Sequence, residues 1–184
     1  MTHIISFSGG LGSFFAAMRV IESQGADQCI LLFTDTQTED DDLYRFLGDA
    51  SNYLGVGVTT IADGRDLWQV FNDERYMGNS RVDPCSRVLK RDLAKKWMQE
   101  NFDPDKSVLY MGIGWDEVHR MESIERNWSP YKVDAPLTRP PYLSRPQMIE
   151  QCKKLGINPP RLYGLGFSHN NCGGFCVKAG QGQF

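Results

Sequence analysis

Ser8-Gly9-Gly10-Leu11-Gly12-Ser13 is the stretch around which the rest of the chain is organised. The apolar run Ile4, Ile5, Ser6, Phe7 leads into it, and Phe14, Phe15, Ala16, Ala17, Met18, Val20 and Ile21 follow. That order predicts a buried strand, a glycine turn and a helix from about Ser13 to Gln24. Glycines let successive backbone N–H groups converge on an anion, and the helix N-terminus adds partial positive charge at the same place. Ser8 and Ser13 supply hydroxyl donors without bulk, so the loop suits a phosphate. Its spacing fits neither GxxxxGK[ST] nor GxGxxG.

The same alternation continues downstream. Apolar runs at Cys29 to Phe33, Gly57 to Ile61 and Ser107 to Ile113 read as strands. Helical patterns fill the intervals at Glu39–Leu54, Asp66–Tyr76 and Ser86–Asn101, the first opening on Asp40, Asp41 and Asp42 where carboxylates favour the helix dipole. Strands alternating with helices imply an α/β fold with a mainly parallel sheet. Ligands of such sheets sit beyond the carboxyl ends of the strands. Ser8–Ser13, Asp35–Glu39, Asp63–Arg65 and Gly112–Arg120 all fall there by topology.

The last third reads differently. Pro130, Pro136, Pro140, Pro141 and Pro146 stiffen a largely irregular connection, relieved by a helix from about Ser144 to Leu155. Beyond Gly164 the chain is rich in glycine and asparagine, including Gly180 and Gly182, and holds Cys172 and Cys176. The division expected is a nucleotide-binding core over residues 1–126 and an extension over 127–184 packed on it. Phe184 follows the cysteines with no closing element, which reads as a tail cut short.

At 184 residues and 41% hydrophobic composition the chain has enough material for one domain with a real core. A net charge of −3 argues against nucleic-acid binding through bulk electrostatics. It leaves room for a local patch at Arg87, Lys90, Arg91, Lys95 and Lys96, which reads equally as the solvated face of a helix. No leader pattern and no membrane-length apolar run is visible. Five cysteines, an odd number, favour thiols or metal ligands over disulfides, and the compartment expected is cytoplasmic. Cys29, inside an apolar strand, reads as core, and Cys152, on a helix beside Met148, Ile149 and Leu155, leans the same way.

Five ordered motifs resemble the PP-loop adenine nucleotide α-hydrolase superfamily and, within it, phosphoadenosine-phosphosulfate (PAPS) reductase-like proteins. They are SGGxxS at Ser8–Ser13; Phe33-Thr34-Asp35-Thr36 with Glu39; Arg81 with Cys85-Ser86-Arg87-Val88-Leu89-Lys90; Gly112-Ile113 with Glu117 and Arg120; and Pro136-Leu137, Leu162–Gly166 and Cys172…Cys176. The resemblance implies a Rossmann-like fold that binds ATP with Mg²⁺. Ser8, Gly9, Gly10, Gly12 and Ser13 would cradle the phosphates, and Asp35 and Thr36 would lie near the nucleoside. Ser13, Lys90, Arg87 and Arg120 would act at the α-phosphate, with Glu117 orienting Arg120. No Glu-Cys-Gly-hydrophobic-His segment matches the one that carries the catalytic cysteine of true PAPS reductases. The step implied is therefore attack at the α-phosphorus of an adenine nucleotide, adenylylating a nucleic-acid or small-molecule acceptor, with sulfur transfer as its purpose. A PAPS- or APS-reductase relative and a non-catalytic nucleotide-binding module are the alternatives.

Cys85, Cys172 and Cys176 form the second constellation. A 4Fe–4S cluster or a Zn²⁺ held by them, redox-active thiols, and plain structural cysteines all stay open, with Cys152 or His169 as a fourth ligand. Trp115 and Trp128 read as packing residues or as stacking surfaces for a base. A homodimer completes the partner readings.

Overall fold

A computed structural model describes residues 1–79 and 81–179. Five parallel strands, β1 (Thr2–Ser6), β2 (Cys29–Asp35), β3 (Val58–Ala62), β4 (Ser107–Tyr110) and β5 (Lys132–Asp134), form one sheet in the order β3-β2-β1-β4-β5. Both faces are covered, as a parallel sheet requires. Successive side chains alternate between the two faces. Ile5, Leu31, Phe33 and Tyr110 pack under α1 (Leu11–Gln24), α2 (Asp41–Leu54) and α7 (Arg145–Lys154). Ile4, Leu32 and Leu109 pack under α5 (Leu93–Asn101) and α6 (Met121–Trp128). Cys29 and Cys152 are buried in the first of these layers, as their sequence surroundings suggest, and burial pushes the Cys152 thiol up to about 11.

Two features depart from the sequence reading. Lys132-Val133-Asp134, placed there in an irregular connection, is the edge strand β5, paired with β4 at Val108, Leu109 and Tyr110. Three residues alternating polar, apolar, polar carry no periodic signal, so the neighbouring strand decides their conformation. The sheet thus continues past residue 126 into the segment read as an extension. The helix expected over Ser86–Asn101 begins earlier and is not uniform. Short α4 (Pro84–Ser86) runs into a π turn, Arg87–Asp92, before α5.

After β1 the connections turn first to β2 and β3 and then to the opposite side with β4 and β5. The reversal lies between β1 and β4, where the loops beyond the strands diverge and leave a crevice. α3 (Leu67–Glu74) flanks one end of that crevice, and residues from α8 (Arg161–Gly164) onward lie across it. Among the described residues no helix is long and apolar enough to cross a membrane. Gly180, Gly182 and Phe184 lie outside the described residues.

Candidate functional site

A cavity of about 480 Å³ fills the crevice. Ser6 and Ser8 border it from β1 and its loop, Thr34 and Thr36 from the end of β2, and Met111 and Ile113 from beyond β4. Its lining mixes two chemistries. Leu32, Leu109, Ala94, Ile124 and Trp128, members of one apolar cluster, supply an apolar surface, while Lys90, Arg91, Arg120 and Lys178 bring cations to the cavity from three separate segments.

The loop after β1 is shaped by close contact. Gly9 has φ +75°, and a Cβ there would lie 2.7 Å from Leu43 Cγ. A Cβ on Gly12 would meet the Gly112 carbonyl at 2.8 Å, and one on Gly112 would meet Ser13 N at 2.6 Å. The β1–α1 loop and the segment after β4 therefore touch backbone to backbone, a proximity that side chains at either glycine would prevent. Gly10 caps α1, and the Ser13 hydroxyl donates to the Gly10 carbonyl at 2.8 Å, with the Ser8 hydroxyl at 3.4 Å. Ser13 thus braces the turn from inside, whereas Ser8 borders the cavity.

Glu39 joins three parts of the chain. Its side chain is fully buried, and Oε1 accepts from Lys90 Nζ at 3.0 Å and from the Thr36 hydroxyl at 3.0 Å. Oε2 accepts the backbone N–H of Cys172. Burial works against the Lys90 ammonium, but the charge and hydrogen bond of Glu39, together with the neighbouring Cys172 and Cys176, hold the lysine above its ordinary pKa. Lys90 is charged at neutral pH and stands at the cavity wall. Asp83, also nearly buried, plays a similar part, pairing with Arg91 at 3.3 Å and Lys178 at 3.6 Å.

The C-terminal stretch is tied down along its length. Asp40 pairs with Arg161 at 2.8 Å, and Asp42 Oδ2 accepts the Arg161 N–H at 2.7 Å. The Tyr163 hydroxyl accepts from Leu11 N at 3.4 Å, and Asn170 Nδ2 donates to the Gly9 carbonyl at 2.9 Å. His169, Asn171, Cys172 and Cys176 thereby reach the cavity. His169 Nδ1 and Asn170 Oδ1 are buried with no hydrogen-bond partner among the described residues.

Of the site residues expected from sequence, Ser8, Thr36, Lys90, Arg120, Cys85, Cys172 and Cys176 border the cavity, and Gly9, Gly10, Gly12 and Ser13 shape the loop beside it. Three others stand elsewhere. Arg87 faces Glu74 at 3.0 Å and Asp92 at 3.6 Å, because the π turn rotates it away from Lys90. Asp35 Oδ1 accepts from Gln37 N and the Tyr44 hydroxyl, both at 2.8 Å, outside the cavity walls. Glu117 is an exposed i,i+3 partner of Arg120. Trp128 is buried in the apolar cluster, whereas Trp115 lies half-exposed against Tyr142. Sequence reasoning missed Asp83, Lys178 and Asn171, none of which sits in a recognisable spacing; Arg91 carried a hint as part of the basic run.

The thiols of Cys172 and Cys176 hydrogen-bond to one another, which lowers the Cys176 pKa and raises that of Cys172. The Lys178 backbone, His169 and Lys90 reinforce the effect on Cys176. Burial raises the Cys85 thiol. Among the described residues no set of three or more His, Cys, Asp or Glu side chains is arranged to hold a metal ion, and residues 180–184 contain none of these types. The three thiols thus share a wall without forming the site that a zinc ion or an iron–sulfur cluster needs. Nor do the cavity's carboxylates offer a ready Mg²⁺ cage, since Glu39 and Asp83 are already matched to cations.

No protein-family model and no curated protein matches this sequence. Solved structures do. Phosphoadenylyl-sulfate (PAPS) reductase from Candida auris, in a phosphate complex, matches over 91% of this chain and 80% of that one, with TM-score 0.59 and 12% identity. A predicted subunit of tRNA methyltransferase from Methanocaldococcus jannaschii matches over 88% and 91%, with TM-score 0.47 and 16% identity. The chain shares the fold of the reductase, an α/β Rossmann-like architecture with an all-parallel sheet.

Proposed function

We propose that this chain is a PP-loop enzyme that binds ATP in the crevice and cleaves it between the α and β phosphates, adenylylating an acceptor. The observation that carries the reading is the convergence of a glycine loop, a helix N-terminus and Lys90 and Arg120 beside one cavity that also has an apolar surface. In this reading the Ser8–Ser13 loop receives the phosphates through backbone N–H groups. The apolar surface, to which Leu32, Leu109 and Trp128 contribute, takes the adenine. An acceptor nucleophile forms a bond to the α-phosphorus as the bond to the bridging oxygen breaks, and pyrophosphate leaves with added negative charge. Lys90, held charged by Glu39, and Arg120 meet that charge. Mg²⁺ would come on the nucleotide's own phosphates, as is usual for this ion, and lend further charge neutralisation. The fold shared with a PAPS reductase solved as a phosphate complex supports phosphate recognition by this architecture. The thiols that line the same cavity support sulfur transfer as the use of the adenylate, with a nucleic acid or a small molecule as acceptor.

The test is calorimetric titration with ATP and Mg²⁺, followed by measurement of pyrophosphate and AMP with candidate acceptors. ATP binding in the micromolar range together with pyrophosphate release that falls about a hundredfold in Lys90→Ala supports the reading. Binding without release under any acceptor would favour a non-catalytic nucleotide module, and no binding of ATP would refute both.

A further inference from the structure

We infer that Cys172 and Cys176 are a dithiol couple that exchanges two electrons with a sulfur–sulfur bond entering the cavity. The inference stands apart from the nucleotide reading and needs no nucleotide. Both are free, partly exposed thiols at the cavity wall, four positions apart across a tight turn in which the Phe175 N–H donates to the Cys172 carbonyl at 2.7 Å. The backbone is shaped to bring them together. Cys172 has φ +53°, left-handed for a residue with a side chain, and Gly173 and Gly174 continue at +56° and +87°. A non-glycine residue held in that region is costly and persists where its surroundings impose it. Here the Glu39 carboxylate imposes it by accepting the Cys172 N–H. The same carboxylate anchors Lys90 at the cavity that both thiols line, giving the positive, partly open surroundings in which cysteines react. Two thiols carried on one tight turn suit a disulfide. They supply half the donors of a four-coordinate metal site, and Cys85 does not complete a set of three.

The step balances without a further reagent. The Cys176 sulfur attacks one sulfur of a disulfide R–S–S–R, forming Cys176–S–S–R and releasing the first RS⁻. The Cys172 sulfur then attacks Cys176 Sγ, closing the Cys172–Cys176 bond and releasing the second RS⁻. The two thiol protons end on the two RSH products, the cysteines are oxidised, and the disulfide is reduced.

The experiment uses the intact chain, reduced and freed of reductant under argon, then treated with glutathione disulfide and mapped by alkylation and mass spectrometry. The expected result is loss of two of the five free thiols, recovered as a Cys172–Cys176 crosslink, with Cys85 still open to alkylation. Cys172→Ser should stall as a stable glutathione adduct on Cys176, Cys176→Ser should form no adduct at residue 172, and Cys85→Ser should react as the parent does. Thiol loss spread evenly over the five cysteines, or a crosslink through Cys85, would overturn the inference. So would zinc or iron retained at one equivalent per chain with Cys85, Cys172 and Cys176 protected together.

Discussion

On the sheet side of the cavity, Gly12 and Gly112 bring two loops into backbone contact above a floor of buried aliphatic side chains. On the opposite side, residues 161–178 are held by carboxylates and hydrogen bonds reaching from α2, the β1–α1 loop and the segment before α4. The first wall gains its stability from burial and close packing, which do not titrate with pH and tolerate little change of shape. The second depends on charge pairing, which responds to pH and to salt. A site made this way has a fixed floor and a cover whose attachment varies with solution conditions.

That contrast can be broken at several points. The largest effect is expected at Gly112→Ala, because the added Cβ would meet backbone atoms of Gly12 and Ser13, which cannot swing aside. Chemical denaturation should register a loss of about 3 kcal/mol; an unchanged midpoint would mean that the two loops are not packed as described. Glu39→Gln comes next. It leaves Lys90 without its counter-charge and weakens the tie to Cys172, at a cost of about 2 kcal/mol on thermal melting. Limited proteolysis should also begin to cut between residues 165 and 179. Destabilisation with no new cleavage there would show that Glu39 serves the core and not the cover.

Asp42 tests the solution dependence. Its hydrogen bond to Arg45 holds its carboxyl below the ordinary value of 3.8, against the opposing effect of burial. The stabilisation is therefore present above the ordinary carboxylate range and is lost as pH falls through the lowered folded value. Asp42→Asn should cost about 1 kcal/mol at neutral pH, and the difference from the parent should close on acidification. A gap that is constant with pH would assign the effect to packing. Arg161→Ala, which removes the pair between an exposed guanidinium and the Asp40 carboxylate, should have the mildest effect on thermal melting, and a smaller one still in high salt.

The same division separates what the sequence discloses from what it conceals. β1, the glycine loop and α1 are legible because apolar residues, glycines and a helical stripe follow each other without interruption. The convergence of four loops on one edge follows from the alternation of strands and helices. Glu39 is different. Thr36 is a local partner three positions away, but the other two lie 51 and 133 positions away, and no local pattern joins Lys90 and Cys172 to it. β5 is too short to declare itself. Arg87 is the most instructive miss. In a regular helix residues 87, 90 and 91 share a face, so pairing Arg87 with Lys90 is the natural expectation. The wider π turn sends Arg87 toward Glu74 instead, and nothing in Arg87–Asp92 announces that turn.

The π turn also bears on how this chain accepts insertions and deletions. It accommodates one residue more than an ordinary helical turn in the same length. Removing Val88, a partly buried residue within it, would let the helix regularise with little loss of backbone hydrogen bonding. The flanks would keep their angular register, because the wide turn already absorbs the extra residue, so α4 with Cys85 and α5, anchored in the core by Ala94 and Met98, would hold their places. The same deletion within regular α5 would instead rotate one flank against the other by about 100°. One short segment can thus lose a codon where its neighbour cannot.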